Sequence, residues 1–397
     1  MNALIDRIAD SPTSLVGRLA ARRYGTPIPG SVGVTEFAPA DRRVLIAPVN
    51  YSGQGYEWAR ALERDLDGVS ARNMAIHVPG GFDYAADLLV PVPTYHNDTE
   101  WQERQLRAAL EATHVLIEAE EPPFGRLLGR SVARQADALV RGGVDVAFLA
   151  HGTDVRLPSR HMRDNPWSHY SDPGIYATRD ETLAARNIAL LERSGRPVFV
   201  STPDLLDDLP DAAWCPVVVD LARWDTPRSE RAPDAPLRVA HAPSVSVIKG
   251  THLVLDELRA LEAEGVIVLD LIQGVPSAAM PARFAAADVV IDQLRIGSYG
   301  VAACEALAAG CVVVGHLADR VRARVASATG SEPPVVEATP ETIGSVLRGL
   351  AAHDDLDPLR AAGRDFVAAV HDGRRSAAVL DRLWLAAPPS QREDPTR

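Results

Sequence analysis

The chain has 397 residues, of which 46% are hydrophobic and 24% are charged, and this balance excludes a disordered protein. Its net charge of −12 argues against a nucleic-acid partner, because such proteins bind through a basic face. The apolar runs are shorter than the roughly 20 residues of a membrane-spanning helix, so no transmembrane segment is predicted. The three cysteines lack metal-ligand spacing and are typical of buried thiols in a reducing cytoplasm, the expected location.

A chain of this length is expected to form two domains. Residues 1–39 are predicted to be a helical N-terminal extension, an amphipathic helix followed by a Gly/Pro-rich loop. The pattern favours a helix packed on the first domain over a basic helix on a membrane surface, and leaves peripheral membrane contact open.

From Arg43 onward, short apolar runs alternate with helical periodicity. The predicted elements of the first half are strands at Val44–Val49, His114–Ala119, Val144–Ala150 and Pro197–Ser201, and helices at Glu57–Asp67 and Leu127–Arg141. This alternation predicts a parallel sheet in a first domain over residues 1–224. The loops after the strands are then expected to share one functional edge.

A linker rich in Pro, Asp and Arg, from Asp225 to Pro236, opens a second domain over residues 225–385. Its predicted elements are strands at Leu237–Ala242, Val266–Ile272, Asp288–Asp292 and Cys311–Gly315, and helices at Thr251–Glu264, Met280–Ala286 and Val301–Ala309. Three further helical stretches follow, the last of which is a candidate to return to the first domain. Residues 386–397 are expected to be a loose tail.

The most specific motif joins the third of these strands to the next helix through Gly297-Ser298-Tyr299-Gly300-Val301. The first N–H groups of a helix have no internal partners and carry partial positive charge, so a diphosphate is the natural occupant. Glu305, about a turn and a half further on, is placed to accept hydrogen bonds from a ribose diol. The alternative is a solvated glutamate on an alanine-rich helix.

A second motif contains His241 and Ser244, which follow the first strand of the second half, and Lys249-Gly250, which opens its first helix. Lys249 is the single lysine beside forty arginines. We therefore interpret it as an ammonium that reaches a phosphate from the edge of the sheet, rather than as an ordinary surface lysine.

In the first half, His151 and Asp154 directly follow a predicted strand, where they would face a cleft between the domains. Tyr51, Gly53 and Gln54 follow the first strand in a loop of small residues, although turn formation alone would explain its glycine. Glu118 to Glu121 form a candidate acidic patch on the acceptor side, with a solvated loop as the alternative.

On these residues the second half resembles glycosyltransferase family 4, the retaining nucleotide-sugar transferases of the GT-B fold. Lys249-Gly250 matches the Lys-Gly of that family, and Glu305 matches the second of its two glutamates, which binds the ribose. Ser244 stands where the family has a diphosphate-binding arginine, and Gly297 stands where it has the glutamate that contacts the donor sugar. Arg295 and Asp292 are candidates to replace these contacts.

The resemblance implies two Rossmann-like domains with parallel sheets facing across a cleft, and an enzyme that moves a sugar from a nucleoside-diphosphate sugar to an acceptor hydroxyl. The acceptor would be a small molecule, a glycan or a lipid-linked molecule, and no metal or other cofactor is expected. The implied roles are catalytic for His151 and Lys249, donor-binding for Gly53, His241, Ser244, Lys249, Ser298, Tyr299, Gly300, Val301 and Glu305, and acceptor-side for Tyr51, Gln54 and Asp154.

Two alternatives stay open at this point. One is a sugar-nucleotide epimerase or hydrolase of the same fold, and the other is a non-catalytic subunit that binds nucleotide or partners, which Gly297 and Ser244 favour. A dehydrogenase is not expected, because no G-x-G-x-x-G follows the first strand of either half. The base, the sugar, the acceptor and the oligomeric state are not determined by the sequence.

Overall fold

The computed structural model describes residues 24–78, 83–229, 231–232, 234–243, 245–353 and 355–386. The helix predicted within residues 1–23 and most of the predicted C-terminal tail lie outside these residues. Within the described part of the chain, no helix is both long and apolar enough to cross a membrane.

The described residues of the first half form a seven-stranded sheet in the order β3-β2-β1-β4-β5-β6-β7, in which every pair of neighbours is parallel. Its strands are β1 Arg42–Ala47, β2 Val69–His77, β3 Leu88–Pro91, β4 His114–Glu118, β5 Asp145–Ala150, β6 Val198–Val200 and β7 Ala213–Trp214. The α-helices of this half are Gln54–Asp65, Val92–Asn97, Thr99–Ala109, Leu127–Arg130, Val132–Arg141, Pro158–Asp164, Ala177–Ser194 and Leu221–Trp224.

The described residues of the second half form a five-stranded parallel sheet in the order β12-β11-β10-β8-β9. Its strands are β8 Leu237–His241, β9 Ile267–Leu271, β10 Val289–Ile291, β11 Val312–Gly315 and β12 Val335–Glu337. The α-helices of this half are Ser246–Lys249, Thr251–Ala263, Met280–Ala285, Val301–Ala308, Asp319–Thr329, Ile343–Ala351, Asp357–Val370 and Arg374–Leu380. Two parallel α/β sheets confirm the predicted fold class.

Each sheet is covered on both faces, which is why its strands are nearly continuous apolar runs. Alternate residues of β1 enter different cores: Leu45 and Ala47 pack in one cluster, and Val44 and Ile46 pack in the other. The central strand β10 of the second sheet divides in the same way, because Val290 belongs to one cluster and Val289 and Ile291 to the other. This layering leaves the loops at the carboxyl ends of the strands to form the functional surface.

The end of the chain packs on the first sheet. The helix Arg374–Leu380 and the π-helix Asp381–Leu385 place Leu380 and Trp384 in the same core cluster as Val44 and Trp58. The ring of Trp384 meets His114 edge-on with a centroid distance of 5.1 Å. The last turns therefore tie the second half of the chain to the first.

Several stretches differ from the sequence prediction. Strands β2, β3, β7 and β12 were not predicted, and the chain after β11 forms strand β12 and four α-helices instead of three helical stretches. Strand β2 has the sequence VSARNMAIH, and its apolar pattern is interrupted by Asn73, which is fully buried and donates from Nδ2 to the Ile46 carbonyl. The helix predicted over Leu127–Arg141 is broken in two, because Leu128, Gly129 and Arg130 have positive φ angles. Ser131 then starts the second helix by accepting a hydrogen bond from the Arg134 N–H.

Candidate active site

A cavity of about 1600 Å³ lies between the two sheets and is lined by loops from both halves of the chain. Its N-terminal wall includes Tyr51, Glu120, His151, Asp154 and Asp204. Its C-terminal wall includes Lys249, Gln293, Ser298, Gly300 and Val301. These loops follow strands or precede helices at the carboxyl edges of the sheets, so the cavity occupies the position where α/β proteins bind ligands.

On the C-terminal wall, the helix Val301–Ala308 begins at the cavity. Gly300 precedes it in an extended conformation, with no side chain hydrogen-bonded to the first N–H groups. Gly300 and Val301 both line the cavity. The first turn thus offers N–H groups and a partial positive charge to an anion.

Gly297, three residues before this helix start, has φ of 76°, a left-handed conformation that residues with a Cβ rarely adopt. Added at this position, a Cβ would lie 3.5 Å from Nδ2 of Asn165 and 3.6 Å from Nε2 of His316, which are ordinary contacts. The requirement for glycine is therefore conformational rather than steric. A glutamate here would be strained, so this loop is built without the sugar-contacting side chain that the resemblance leads one to expect.

Lys249 ends the short helix Ser246–Lys249 and extends to the cavity. Its Nζ lies 2.5 Å from Oδ1 of Asp292, which follows strand β10 and has a side chain only 3% exposed. The carboxylate holds the ammonium at the edge of the second sheet, and the Lys249 side chain stays 15% exposed. Asp292 is therefore the ion-pair partner of Lys249.

Arg295 does not line the cavity. Its guanidinium donates to the carbonyls of Trp167 and Ser168, both at 2.8 Å, and to the carbonyl of Val247 at 3.1 Å. The side chain is buried. Arg295 thus joins a loop of the first half to the second half.

Glu305 lies in the helix Val301–Ala308 and lines a small side pocket together with Gly53, Tyr84 and Arg223. Burial raises the pKa of Glu305 to about 8, with Arg223 opposing the shift and Glu57 adding to it. Gly53 lines this pocket and not the main cavity. The pocket adjoins the cavity wall at Ser52 and Gln54, which line both.

On the N-terminal wall, His151 follows strand β5 and its Nε2 lies 3.1 Å from Oε1 of Glu118. Glu118 is fully buried, and its other oxygen accepts a hydrogen bond from the Asn50 N–H. The Tyr51 ring meets the imidazole edge-on at 5.2 Å. A buried carboxylate that fixes an imidazole at a cavity wall is the arrangement of an oriented acid, base or hydrogen-bond donor.

Two further residues predicted on the acceptor side, Asp154 and Gln54, form hydrogen bonds with the protein backbone. Asp154 accepts hydrogen bonds from the N–H groups of His151 and Gly152, which fixes the loop after β5. Gln54 is buried, and its amide exchanges two hydrogen bonds with the backbone of Val218. Both residues line the cavity, as does the exposed Tyr51.

Two predicted donor-binding residues are used inside the core. His241 is fully buried, with Nδ1 bonded to the Ile291 carbonyl and Nε2 to the Thr251 hydroxyl, and burial lowers its pKa. It does not line the cavity. Tyr299 lines the cavity but directs its hydroxyl to His371 in the core. Ser244 lies outside the described residues.

Three polar residues meet where the two walls join, and two of them, Thr202 and Asp204, were not identified from the sequence. Ser298 of the C-terminal wall and Thr202 and Asp204 of the first half line the cavity there, and the side chains of Ser298 and Thr202 hydrogen-bond to the Asp204 carboxylate. Burial opposes ionisation of Asp204, but Arg156 at 2.6 Å outweighs it and lowers the pKa of Asp204 to about 2. No local motif marks Thr202 or Asp204, because these residues meet Ser298 only through the packing of the two halves.

Three solved structures share this architecture. One is sucrose-phosphate synthase from Thermosynechococcus elongatus, at 12% identity and a TM-score of 0.54, with 87% of this chain and 98% of that chain covered. A second is an alpha-glucosyltransferase in complex with UDP and a 13-mer DNA, at 12% identity and a TM-score of 0.55, with 86% and 99% covered. A third is Anabaena HepE in complex with UDP and glucose, at 9% identity and a TM-score of 0.55, with 87% and 100% covered.

These similarities show the fold. The chain has the GT-B-like fold of glycosyltransferases, with two parallel α/β sheets on either side of a cavity, as the sequence predicts. At the level of sequence, no family model matches the chain, and no curated protein matches it.

Proposed function

We propose that the protein is a glycosyltransferase that moves a sugar from a nucleoside-diphosphate sugar to an acceptor hydroxyl with retained configuration. The observation that carries this proposal is that Lys249 and the uncapped helix start at Gly300 lie on the same wall of the cavity. An ammonium and a helix N-terminus on the same wall suit an anion as highly charged as a diphosphate.

In this proposal, the nucleotide end of the donor lies along the C-terminal wall. The ribose hydroxyls bind Glu305, whose side pocket adjoins the main cavity through Ser52 and Gln54. The raised pKa of about 8 means that the carboxyl group of Glu305 carries a proton near neutral pH. It then both donates and accepts hydrogen bonds, which suits a diol.

The donor sugar would lie where the two walls meet, against Ser298, Thr202 and Asp204. Their two hydroxyl groups and one carboxylate line the cavity there and offer the polar contacts that a sugar ring needs. These contacts come from a different part of the chain than Gly297, where the family has its sugar-binding glutamate.

The chemical step requires stabilisation of the charge that develops on the departing diphosphate. Lys249 and the N–H groups after Gly300 supply it as fixed positive charge, an electrostatic contribution of the kind that is often the largest in catalysis. His151, held by Glu118, is positioned at the opposite wall for a hydrogen bond to the sugar or the acceptor. No resident metal ion is part of this proposal, in which the protein groups carry the positive charge.

A thermal-shift panel of nucleoside diphosphates and their sugars tests the donor part. Two of the similar structures are described with UDP, so UDP and UDP-glucose are the first pair to measure. We expect stabilisation by one nucleoside diphosphate and a further sugar-dependent change with its sugar. The absence of stabilisation by any nucleoside diphosphate would overturn the proposal.

A binding-only subunit is the second candidate, and the left-handed Gly297 favours it because the sugar-contacting glutamate has no place there. Incubation of the protein with the donor that the panel identifies, with and without acceptors, separates the candidates. Acceptor-dependent product with the donor's anomeric configuration supports the transferase. Nucleotide binding without turnover supports the binding subunit, and product from donor alone supports the epimerase or hydrolase.

A further inference from the structure

The carboxyl group of Glu120 stands out on the N-terminal wall, two residues after strand β4. The residue is 7% exposed, and neither side-chain oxygen is paired with a cation or with a donor group of another residue besides the neighbouring acid Asp154. It nevertheless lines the cavity. A buried carboxyl without a donor partner is costly unless a ligand or a proton satisfies it.

The neighbouring charges do not neutralise it. Asp154 lies against Glu120, and its own carboxylate is bound by the N–H groups of His151 and Gly152. Glu118 is paired with His151, and Glu121 lies 3.8 Å from Arg130. Glu120 and Asp154 therefore form a pair of acids with no cation between them.

Burial and the charge of Asp154 raise the pKa of Glu120 well above its usual range. Two carboxyl groups in contact can share a hydrogen bond only if one of them carries a proton. The contact with Asp154 thus favours a protonated Glu120, and a bound cation would take the place of that proton. The backbone at Ala119 and Glu120 is also left-handed, with φ of 53° and 49°, so this loop is held in an uncommon conformation.

We propose that Glu120 and Asp154, with the hydroxyl of Tyr51 beside them, bind a protonated amine of the acceptor. This inference rests on the proposed function, because it names the chemical class of the acceptor: a hydroxylated molecule that carries at least one primary amine. An ammonium with three N–H donors fits two carboxylates and a hydroxyl on one wall of a cavity. The acceptor hydroxyl is then presented toward the donor side of the cavity.

A metal ion is a weaker match for this position. Among the residues that the structure describes, no group of three or more His, Cys, Asp or Glu side chains is arranged to hold a metal ion. The hard divalent cations take six or more oxygen ligands, or keep several waters. Two carboxyl groups at a partly apolar cavity wall, beside Tyr51, suit an organic cation better.

The test is a calorimetric titration of the full-length protein with glucosamine, glucose and N-acetylglucosamine, which differ at one position in the presence and charge of the amine. We expect glucosamine to bind at least tenfold more tightly than the other two. Binding should also release about one proton, measured by repeating the titration in buffers of different ionisation enthalpy. Equal binding of the three sugars, or no detectable binding of glucosamine, overturns the inference.

Glu120→Gln should abolish both the preference for glucosamine and the proton release, while thermal unfolding verifies that the variant is folded. Gln is a close match in shape to the protonated carboxyl, so we expect it to fold. The matched control is Glu111→Gln, the same change at an exposed residue before strand β4, which should leave the preference intact. If Glu120→Gln keeps the preference for glucosamine, the proposal is contradicted. A titration with Mn²⁺ tests the alternative: if the wild type binds Mn²⁺ and Glu120→Gln does not, the position is a metal site instead.

The same measurements distinguish this inference from the proposed function. Transfer to neutral acceptors without preference for the amine leaves the glycosyltransferase assignment standing and removes the amine site. If glucosamine binds through Glu120 but no nucleoside diphosphate binds, the amine site stands and the glycosyltransferase assignment is removed.

Discussion

The two walls of the cavity are built by different means. Among the described residues, every non-glycine residue with a positive φ lies in the first half of the chain, and four of these stand at the ends of β1 and β4: Asn50, Ser52, Ala119 and Glu120. The C-terminal wall uses glycine where its backbone turns left-handed, at Gly250 and Gly297. The N-terminal wall therefore has a strained backbone and carries acidic side chains, while the C-terminal wall has an unstrained backbone and carries positive charge.

This difference separates the two halves of the proposed reaction. An unstrained loop with Lys249 and a helix start suits a diphosphate, which nucleotide-sugar donors share. A strained loop that carries buried acids suits one particular acceptor, because the strain is retained only where the surroundings require that conformation. The following predictions test the comparison, beginning with the largest expected effect.

Replacement of Lys249 by alanine should lower the turnover of sugar transfer by roughly 100-fold, similar to the loss of one oxyanion donor. The variant also leaves the buried Asp292 without its partner, and such a break costs about 3–5 kcal/mol of stability. Turnover and thermal unfolding are therefore measured together. Near-normal transfer by Lys249→Ala would remove the proposed role of this residue.

The double variant Lys249→Met/Asp292→Asn separates the two effects. It removes both charges, so we expect most of the stability to return while nucleoside diphosphate binding stays weak. Lys249→Arg keeps the positive charge and serves as the control for geometry. Recovery of diphosphate binding in the double variant would show that Lys249 acts only as the partner of Asp292.

Glu305 gives the C-terminal wall a pH dependence. Its folded pKa of about 8 lies above the unfolded value near 4.5, so between these values the folded state holds a proton that the unfolded state has lost. The titration of Glu305 therefore lowers the free energy of unfolding as the pH rises from 4.5 to 8, a contribution on the order of 2 kcal/mol after allowance for partial exposure. Glu305→Gln lacks this titration, and its stability relative to wild type should rise across the same window.

Urea unfolding of the wild type and Glu305→Gln at half-unit pH intervals measures this effect. The difference between the two proteins isolates Glu305, because the other titratable groups are present in both. A difference that stays constant from pH 5 to pH 9 contradicts the raised pKa.

Gly297→Ala should destabilise the protein by about 1–2 kcal/mol, the usual cost of a left-handed conformation for a residue with a Cβ. The matched control is Gly300→Ala, since Gly300 has an extended backbone and no atom within 4 Å of an added Cβ. We expect the control to change the free energy of unfolding by less than about 0.5 kcal/mol. Equal effects at the two positions would show that the loop tolerates a side chain at residue 297.

Ala119→Gly should have the opposite sign and stabilise the protein by up to about 1 kcal/mol, because it relieves a left-handed alanine. The same change at Ala75, in the extended strand β2, should destabilise it through the added chain entropy of glycine. Denaturant unfolding measures both variants. Destabilisation by Ala119→Gly would show that the backbone of the N-terminal wall is not strained at this residue, and the proposed difference in strain between the two walls would fall.

Most of the fold could be predicted from the sequence. Strands β1, β4, β5, β10 and β11 contain continuous apolar runs, and such runs are typical of a parallel sheet that is covered on both faces. Strand β2 was missed because Asn73 interrupts its pattern, although the side chain is buried and hydrogen-bonded. In the sheet, Asn73 pairs with Ile46 of β1, which lies 27 residues earlier in the chain. The sequence around Asn73 does not indicate this pairing.

The candidate site divides in the same way. Lys249, Ser298 and Gly300 could be predicted because strand ends and helix starts are local features, and the backbone of a helix start attracts anions whatever lies around it. His241 follows the same local logic, yet the structure uses it as a core hydrogen-bonding residue. Asp204 had no local signal, because it lines a cavity that only the packing of both halves forms.

By itself, the sequence determined where most of the central strands lie, that two parallel sheets form, and that an anion-binding helix start and a single lysine lie in loops after strands of the second sheet. Only the tertiary structure decided which charges meet: Lys249 with Asp292, His151 with Glu118, and Arg156 with Asp204. Elements follow from the periodicity of neighbouring residues, whereas burial and ion pairing depend on side chains 33 to 48 positions apart in the chain. The chemistry of this cavity therefore depends on how the two halves pack.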